Sequence, residues 1–119
     1  MKKILIADDE PELREAVMDY LKDEGFKTYQ ASNGTECLKM IEEDPPNLVL
    51  LDIRMPGMDG LEVLRRINEK FPNIVVIVIS GTHDIQVAKE AIRLGACDYI
   101  TKPVSLEMLH NDYINRFLG

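Results

Sequence analysis

Short aliphatic runs alternate with longer amphipathic stretches along the whole chain. "KKILIA" (2–7) is a compact apolar run and reads as a strand. "PELREAVMDYLKDEG" (11–25) spaces Leu13, Val17, Tyr20 and Leu21 three and four apart, the period of an amphipathic helix. Pro11 suits its first turn and Gly25 its end. "FKTYQA" (26–31) alternates like a strand with one drier face. "GTECLKMIEED" (34–44) puts Cys37, Leu38 and Ile41 on one helical side and stops at Pro45-Pro46. "LVLL" (48–51) is a third strand, and "LEVLRRINEKF" (61–71) a third helix carried by Leu61, Val63, Leu64, Ile67 and Phe71. "IVVIVIS" (74–80) is the longest β-branched run and predicts a strand buried on both faces. "DIQVAKEAIRLG" (84–95), "DYIT" (98–101) and "LEMLHNDYINRFL" (106–118) give a helix, a short strand and a last helix.

Five βα units in succession imply a parallel sheet with helices on both faces. Right-handed crossovers leave few ways to connect it. For five strands the pattern predicts a flavodoxin-like, doubly wound α/β fold with strand order 2-1-3-4-5. A closed (β/α) barrel needs about eight units and is excluded.

Composition agrees with one domain spanning residues 1–119. The chain is 45% hydrophobic and 29% charged, ordinary values for a globular protein. Its net charge of −7 argues against a nucleic-acid surface, which needs concentrated Lys and Arg. No apolar run approaches the roughly 20 residues of a membrane span, and acidic residues follow "MKKILIA" too soon for a signal peptide. A cytoplasmic location is the expectation. Cys37 and Cys97 stand 60 residues apart without a CxxC motif and read as reduced packing thiols.

The candidate chemistry follows from the strand order. In such sheets function gathers at the carboxyl ends of the strands, beside the point where the order reverses. That point lies between the first and third strands. The first ends in Asp8-Asp9, the third in Asp52, the fourth in Ser80, and the fifth delivers Lys102. Neighbouring strands lie ~4.8 Å apart, so the carboxylates converge. Like charges that close raise one another's pKa, and a divalent cation relieves them. All-oxygen donors without His or Cys favour Mg²⁺, with Mn²⁺ as the alternative ion. Three carboxylates, one lysine and one such ion balance. A neutral pocket of this kind suits a phosphoryl group on Asp52, with Ser80 and Lys102 holding its oxygens. Each feature alone has an ordinary explanation. Asp8-Asp9-Glu10 suits a helix N-terminus, and "DIRMPGMDG" is rich in turn formers. What these explanations lack is a reason for four segments to bring complementary groups to one edge.

The residues that carry this chemistry also resemble a family. "ILIADDE" (4–10), "LVLLDIRMPGMDG" (48–60), "VIVISG" (76–81) and "GACDYITKP" (95–103) fall in the order found in CheY-like receiver domains of two-component response regulators. The resemblance implies that Asp52 is the phosphoacceptor. It implies that Asp9 binds Mg²⁺ directly, Asp8 through water, and Arg54 through its backbone carbonyl. Ser80 and Lys102 would bind the phosphoryl group, and Tyr99 would be the aromatic switch residue. Arg54 and Thr82 would shape water's access to the acyl phosphate. The donor would be a phosphohistidine on a sensor histidine kinase or a histidine phosphotransfer protein. Output would pass to a downstream protein or an attached output domain through the face of helix 4, strand 5 and helix 5, which carries Lys89, Arg93 and Arg116. On this reading the chain is a switch, not an enzyme acting on a separate substrate.

Two other readings share parts of the pattern. A haloacid-dehalogenase-like phosphatase or mutase also uses an Asp nucleophile with Mg²⁺, Ser or Thr, and Lys. It needs a second acid two residues on, where this chain has Arg54, and it carries the nucleophile on its first strand. A flavin module of the same fold needs a phosphate-binding loop after strand 1, and "DDEPEL" would repel a phosphate. His83 and His110 lack metal or relay context and read as surface residues; Met55 and Met58 read as loop packing. Whether the domain stands alone or belongs to a longer regulator is open.

Overall fold

A computed structural model describes residues 1–119. Five strands form one parallel sheet: β1 (Lys3–Ala7), β2 (Lys27–Ala31), β3 (Leu48–Leu51), β4 (Val75–Ser80) and β5 (Asp98–Thr101). Their order is β2-β1-β3-β4-β5, as the sequence pattern predicts. Between them run α1 (Pro11–Asp23), α2 (Gly34–Glu43), α3 (Gly60–Lys70) and α4 (Ile85–Arg93). A last helix, α5, is assembled from Leu106–Met108, a π-wound Leu109–Ile114 and Asn115–Leu118.

Alternation along the strands makes two cores. Leu5, Ala7, Val49, Leu51, Val76 and Val78 face α2, α3 and α4, meeting Cys37, Ile41, Val63, Leu64, Ile67 and Ala91. Ile4, Ile6, Leu48, Leu50, Ile77 and Ile79 face α1 and α5, meeting Val17, Leu21, Leu109 and Ile114. Every residue of β3 is buried. That follows from its central place, and each such side chain contributes ~1.5–3 kcal/mol. Side-chain caps fix where helices begin. Asn33, Asp59, Asp84 and Ser105 accept from the backbone N–H of Glu36, Leu61, Gln86 and Met108. Gly25 and Gly95 end α1 and α4 with φ of +97° and +113°, the left-handed conformation that glycine adopts without a Cβ penalty.

Three expectations need correction. Cys97 is exposed, because it lies in the turn between α4 and β5 and not on a helix face. His110 is not a surface residue. Its side chain is 12% exposed, and its ring meets the edges of Tyr20 and Phe26 at 6.1 and 5.6 Å. The π turn in α5 was not foreseen in the regular pattern. Met55 is buried and Met58 packs against the same core, as expected of loop packing, and His83 is exposed.

The two thiols differ in a way that is directly measurable. Burial pushes the Cys37 thiol up to about 12, with Glu36 adding to the shift, so no thiolate forms near neutral pH. Iodoacetamide at pH 8 should therefore label one cysteine, Cys97, in the native protein and both in denaturant. Peptide mass mapping reads the result; equal native labelling of Cys37 would contradict its packing between α2 and the sheet.

Candidate functional site

The sheet's own hydrogen bonds carry the key residues to one edge. Asp8, the first residue past β1, donates its N–H to the Ala31 carbonyl at 3.1 Å. Asp52, the first past β3, donates to the Ala7 carbonyl at 2.9 Å, and Lys102, the first past β5, to the Ser80 carbonyl at 2.8 Å. Each therefore continues the ladder by one rung, with its backbone fixed by a neighbouring strand. Asp8 and Asp52 are both 4% exposed, whereas Asp9 lies open to solvent. One oxygen from each of Asp8, Asp9 and Asp52 falls within 4.8 Å of the others.

Each of the two buried carboxylates has one oxygen on a backbone N–H and the other on a shared ammonium. Asp8 Oδ1 accepts from the Glu10 N–H at 2.8 Å, and Asp52 Oδ1 from the Arg54 N–H at 2.8 Å. Their Oδ2 atoms share the Lys102 ammonium, at 3.1 Å from Asp8 and 3.0 Å from Asp52. The same ammonium donates to Glu10 Oε2 at 2.8 Å. Glu10 is thus a fourth acid at the site, and sequence reasoning assigned it only a place at the start of a helix. Its place in "DDE", next to two site carboxylates, did not distinguish it from an acid at a helix start, because the contact with Lys102 is made only in the fold.

Electrostatics follow from burial. Desolvation raises the Asp8 carboxyl above its ordinary value, and the nearby Asp52 charge adds to the rise; the Glu10 N–H and Lys102 oppose it without cancelling it. Burial alone would lower the Lys102 ammonium, but the hydrogen bonds it donates to Glu10, Asp52 and Asp8 outweigh burial and hold the group firmly protonated. Asp8, Glu10, Asp52 and Lys102 open onto a cavity of about 400 Å³ whose remaining lining is Ile6, Leu13, Val17, Leu50, Ile79, Pro103 and Val104. This apolar lining keeps the local dielectric low and strengthens the charge interactions beside it.

Ser80 is fully buried, and its Oγ accepts from the Thr82 N–H at 3.2 Å. Thr82 is buried, and its Oγ1 accepts from the Asp84 N–H at the start of α4. Tyr99 is half-buried and its hydroxyl donates to the Thr82 carbonyl at 3.2 Å. The loop after β4 therefore joins Ser80, at the site edge, to Tyr99, on β5. Arg54 is exposed. On the α4–β5–α5 face, Arg93 pairs with Glu90, and Arg116 pairs with Asp98 at 3.3 Å. Two of its three cations are thus already engaged.

The donor set fits a divalent cation. The oxygens are all carboxylate, they converge from two strands, and a cationic ammonium already lies against two of them. Mg²⁺ takes one or two carboxylates and keeps several waters, in keeping with this arrangement beside solvent-exposed Asp9.

Comparison with known proteins settles the family. A model of the response regulator receiver domain matches residues 4–113. The chain belongs to that family. It is similar to sporulation initiation phosphotransferase F of Bacillus subtilis, 35% identical over 117 residues, covering 98% of this chain and 94% of that protein. It is 44% identical over 108 residues to an NtrX-like response regulator of Rickettsia bellii, covering 89% of this chain and 23% of that protein. The chain thus spans about a quarter of the length of such relatives. The crystal structure of a CheY-like receiver domain protein from Methanospirillum hungatei matches with a TM-score of 0.94 at 30% identity, covering 98% of this chain and 94% of that one. A receiver domain is a signalling switch of two-component systems, and the dehalogenase and flavin readings are left without support. No helix is long and apolar enough to cross a membrane.

Proposed function

We propose that this receiver takes a phosphoryl group on Asp52 from a phosphohistidine, on a sensor histidine kinase or a histidine phosphotransfer protein, with Mg²⁺ held by Asp8, Asp9, Asp52 and the Arg54 carbonyl. The observation that carries this reading is the shared ammonium: Lys102 lies 3.0 Å from buried Asp52 and 3.1 Å from Asp8. A carboxylate oxygen of Asp52 attacks phosphorus; the P–N bond breaks, and the histidine nitrogen leaves with the electron pair. Asp8 and Asp9 hold the cation, which when bound neutralises charge on the phosphoryl oxygens. Lys102 follows the transferred group, since an ammonium on a flexible stem can pivot from carboxylate to phosphoryl oxygen. Glu10 gives that ammonium a third anchor during the exchange. The chain catalyses nothing beyond its own phosphorylation and dephosphorylation.

Signal leaves through Ser80. The Ser80 hydroxyl donates to a phosphoryl oxygen and, in turning toward it, draws Thr82 along through the N–H it accepts; the Thr82 carbonyl is the atom that Tyr99 holds. Moving Thr82 shifts the Tyr99 ring and, with it, the α4–β5–α5 face. Coupling of ~1–3 kcal/mol is the scale for such a two-state element. Exposed Arg54 and buried Thr82 set how water reaches the acyl phosphate. The partners are a phosphodonor on the site edge and a downstream protein or output domain on the α4–β5–α5 face. The acidic surface favours neither nucleic acid nor an anionic membrane, and the domain acts in the cytoplasm.

The test is incubation with acetyl phosphate and Mg²⁺, read by intact mass. One labile phosphoryl adduct per chain, lost on chelation of the metal before mixing, is expected; steady turnover of donor with no adduct on the protein would favour a phosphatase instead. A companion measurement isolates Lys102. Replacing its ammonium in Lys102→Met removes a unit charge that competes with the cation, worth ~4 kcal/mol at 4 Å before salt screening. Isothermal titration should show Mg²⁺ binding tightened by about tenfold or more, while phosphorylation slows. Weaker Mg²⁺ binding in Lys102→Met would show that the lysine and the cation do not share the site.

A further inference from the structure

Arg14 makes two hydrogen bonds that join three elements. From α1 its Nη1 donates to the Asp8 backbone carbonyl at 2.8 Å, and its Nε donates to Gln30 Oε1 at 2.6 Å. Gln30 lies on β2, paired in register with Ile6 of β1. The guanidinium is half-buried and spans from helix to sheet across the loop that carries the acids.

The atom it grips matters. The Asp8 carbonyl belongs to the peptide that joins Asp8 to Asp9. The tilt of that peptide sets the directions in which both side chains leave the backbone. Asp8 has other restraints: its N–H is held by Ala31 and its Oδ1 by the Glu10 N–H. Asp9 is exposed, so no packing fixes its side chain and the backbone alone aims it. From this geometry we infer that Arg14 is a positioning residue, which holds the Asp8–Asp9 peptide so that the Asp9 carboxylate points at the cation shared with Asp8 and Asp52. The planar fork is required because its two acceptors lie on different elements, the loop after β1 and strand β2; an ammonium would satisfy one and release the other. Gln30 is the anchor that stops the guanidinium from rotating away.

This inference rests on the cation reading given above, and its sign separates it from a plain charge effect. Arg14 is a positive charge near the site, so deleting it should tighten cation binding by Coulomb's law alone, as Lys102→Met does. Positioning demands the reverse. Residues that orient metal ligands from outside typically contribute 10–100-fold to metal affinity.

The measurement is the Mg²⁺ dissociation constant of the whole chain by isothermal titration at fixed ionic strength, beside the melting midpoint without metal. Arg14→Met, which keeps the apolar stem, should bind Mg²⁺ about tenfold more weakly than wild type. Arg14→Lys should also bind more weakly although it retains the charge. Gln30→Ala, which leaves α1 untouched, should weaken binding about two- to threefold and carries the test if Arg14→Met does not fold. A merely structural Arg14 would lower the melting midpoint and leave the dissociation constant where it was. Unchanged or tighter Mg²⁺ binding in all three variants, with wild type binding normally, overturns the role of Arg14 alone. Wild type that binds no Mg²⁺ overturns the cation reading and this inference together.

Discussion

Asp52→Asn should fold as the wild type does and take up no phosphoryl group. The amide has the carboxylate's shape, and its oxygen can still accept the Arg54 N–H that Asp52 Oδ1 accepts at 2.8 Å. What it loses is nucleophilicity toward phosphorus. No neighbour substitutes. Asp9 and Glu10 are exposed, and Asp8, bound like Asp52 to a backbone N–H and to Lys102, is the group proposed to hold the cation. Stability should not suffer, because one of two buried like charges is removed while Lys102 keeps Asp8 and Glu10 as partners. Intact mass after acetyl phosphate and Mg²⁺ is the readout, with loss of adduct to below detection expected. Adduct equal to that of wild type would move the acceptor elsewhere.

Gly60→Ala should be the most damaging single methyl in the protein. A Cβ built at Gly60 stands 2.2 Å from the Ile53 Cα, 2.5 Å from its carbonyl oxygen and 2.7 Å from its carbonyl carbon. All three are backbone atoms, so no rotamer change relieves the clash. Either the first turn of α3 or the loop after β3 must move. Overpacking of this kind costs ~1–3 kcal/mol and sometimes more, which for a domain of this size lowers the melting midpoint by about 5–10 °C. Ile53 follows Asp52 directly, so relief by the loop also drags the acceptor, and phosphorylation should slow more than the stability loss explains. Gly81→Ala is the control, since nothing lies within 4 Å of its added methyl. Equal melting midpoints for the two variants would mean that α3 does not approach the loop as closely as described.

Much of the fold was legible because its strands are short, apolar and separated by periodic helices. "LVLL" and "DYIT" are the full extents of β3 and β5. Helix ends were less legible. Asp84, read as the first residue of α4, is its cap, with its side chain bound to the Gln86 N–H. The π turn of α5 left one trace: Leu109 and Ile114, both fully buried, are five apart. That spacing puts two residues on different sides of an α-helix but close to one side of a π turn. At the site, Asp8, Asp52, Ser80 and Lys102 were legible because parallel sheets deliver strand ends to one edge. Glu10 and Arg14 were not, since a polar residue on a loop or helix looks the same in sequence whether it meets water or a carbonyl. His110 escaped for a related reason: its burial depends on Tyr20 and Phe26, far away in the chain.

The bond between Lys102 and Glu10 joins residues 92 positions apart. A chain emerging from a ribosome displays its acids early and its lysine near the end. Until β5 docks beside β4, the acids face one another without their ammonium, and the loop after β4 lacks the tyrosine that holds it. Competence to be charged by a donor would then arrive in one late step, with the last strand, and a half-made or clipped molecule would stay silent instead of sending a partial message. Phosphoryl uptake by a sample would count finished molecules, in the way that active-site titration counts working enzyme.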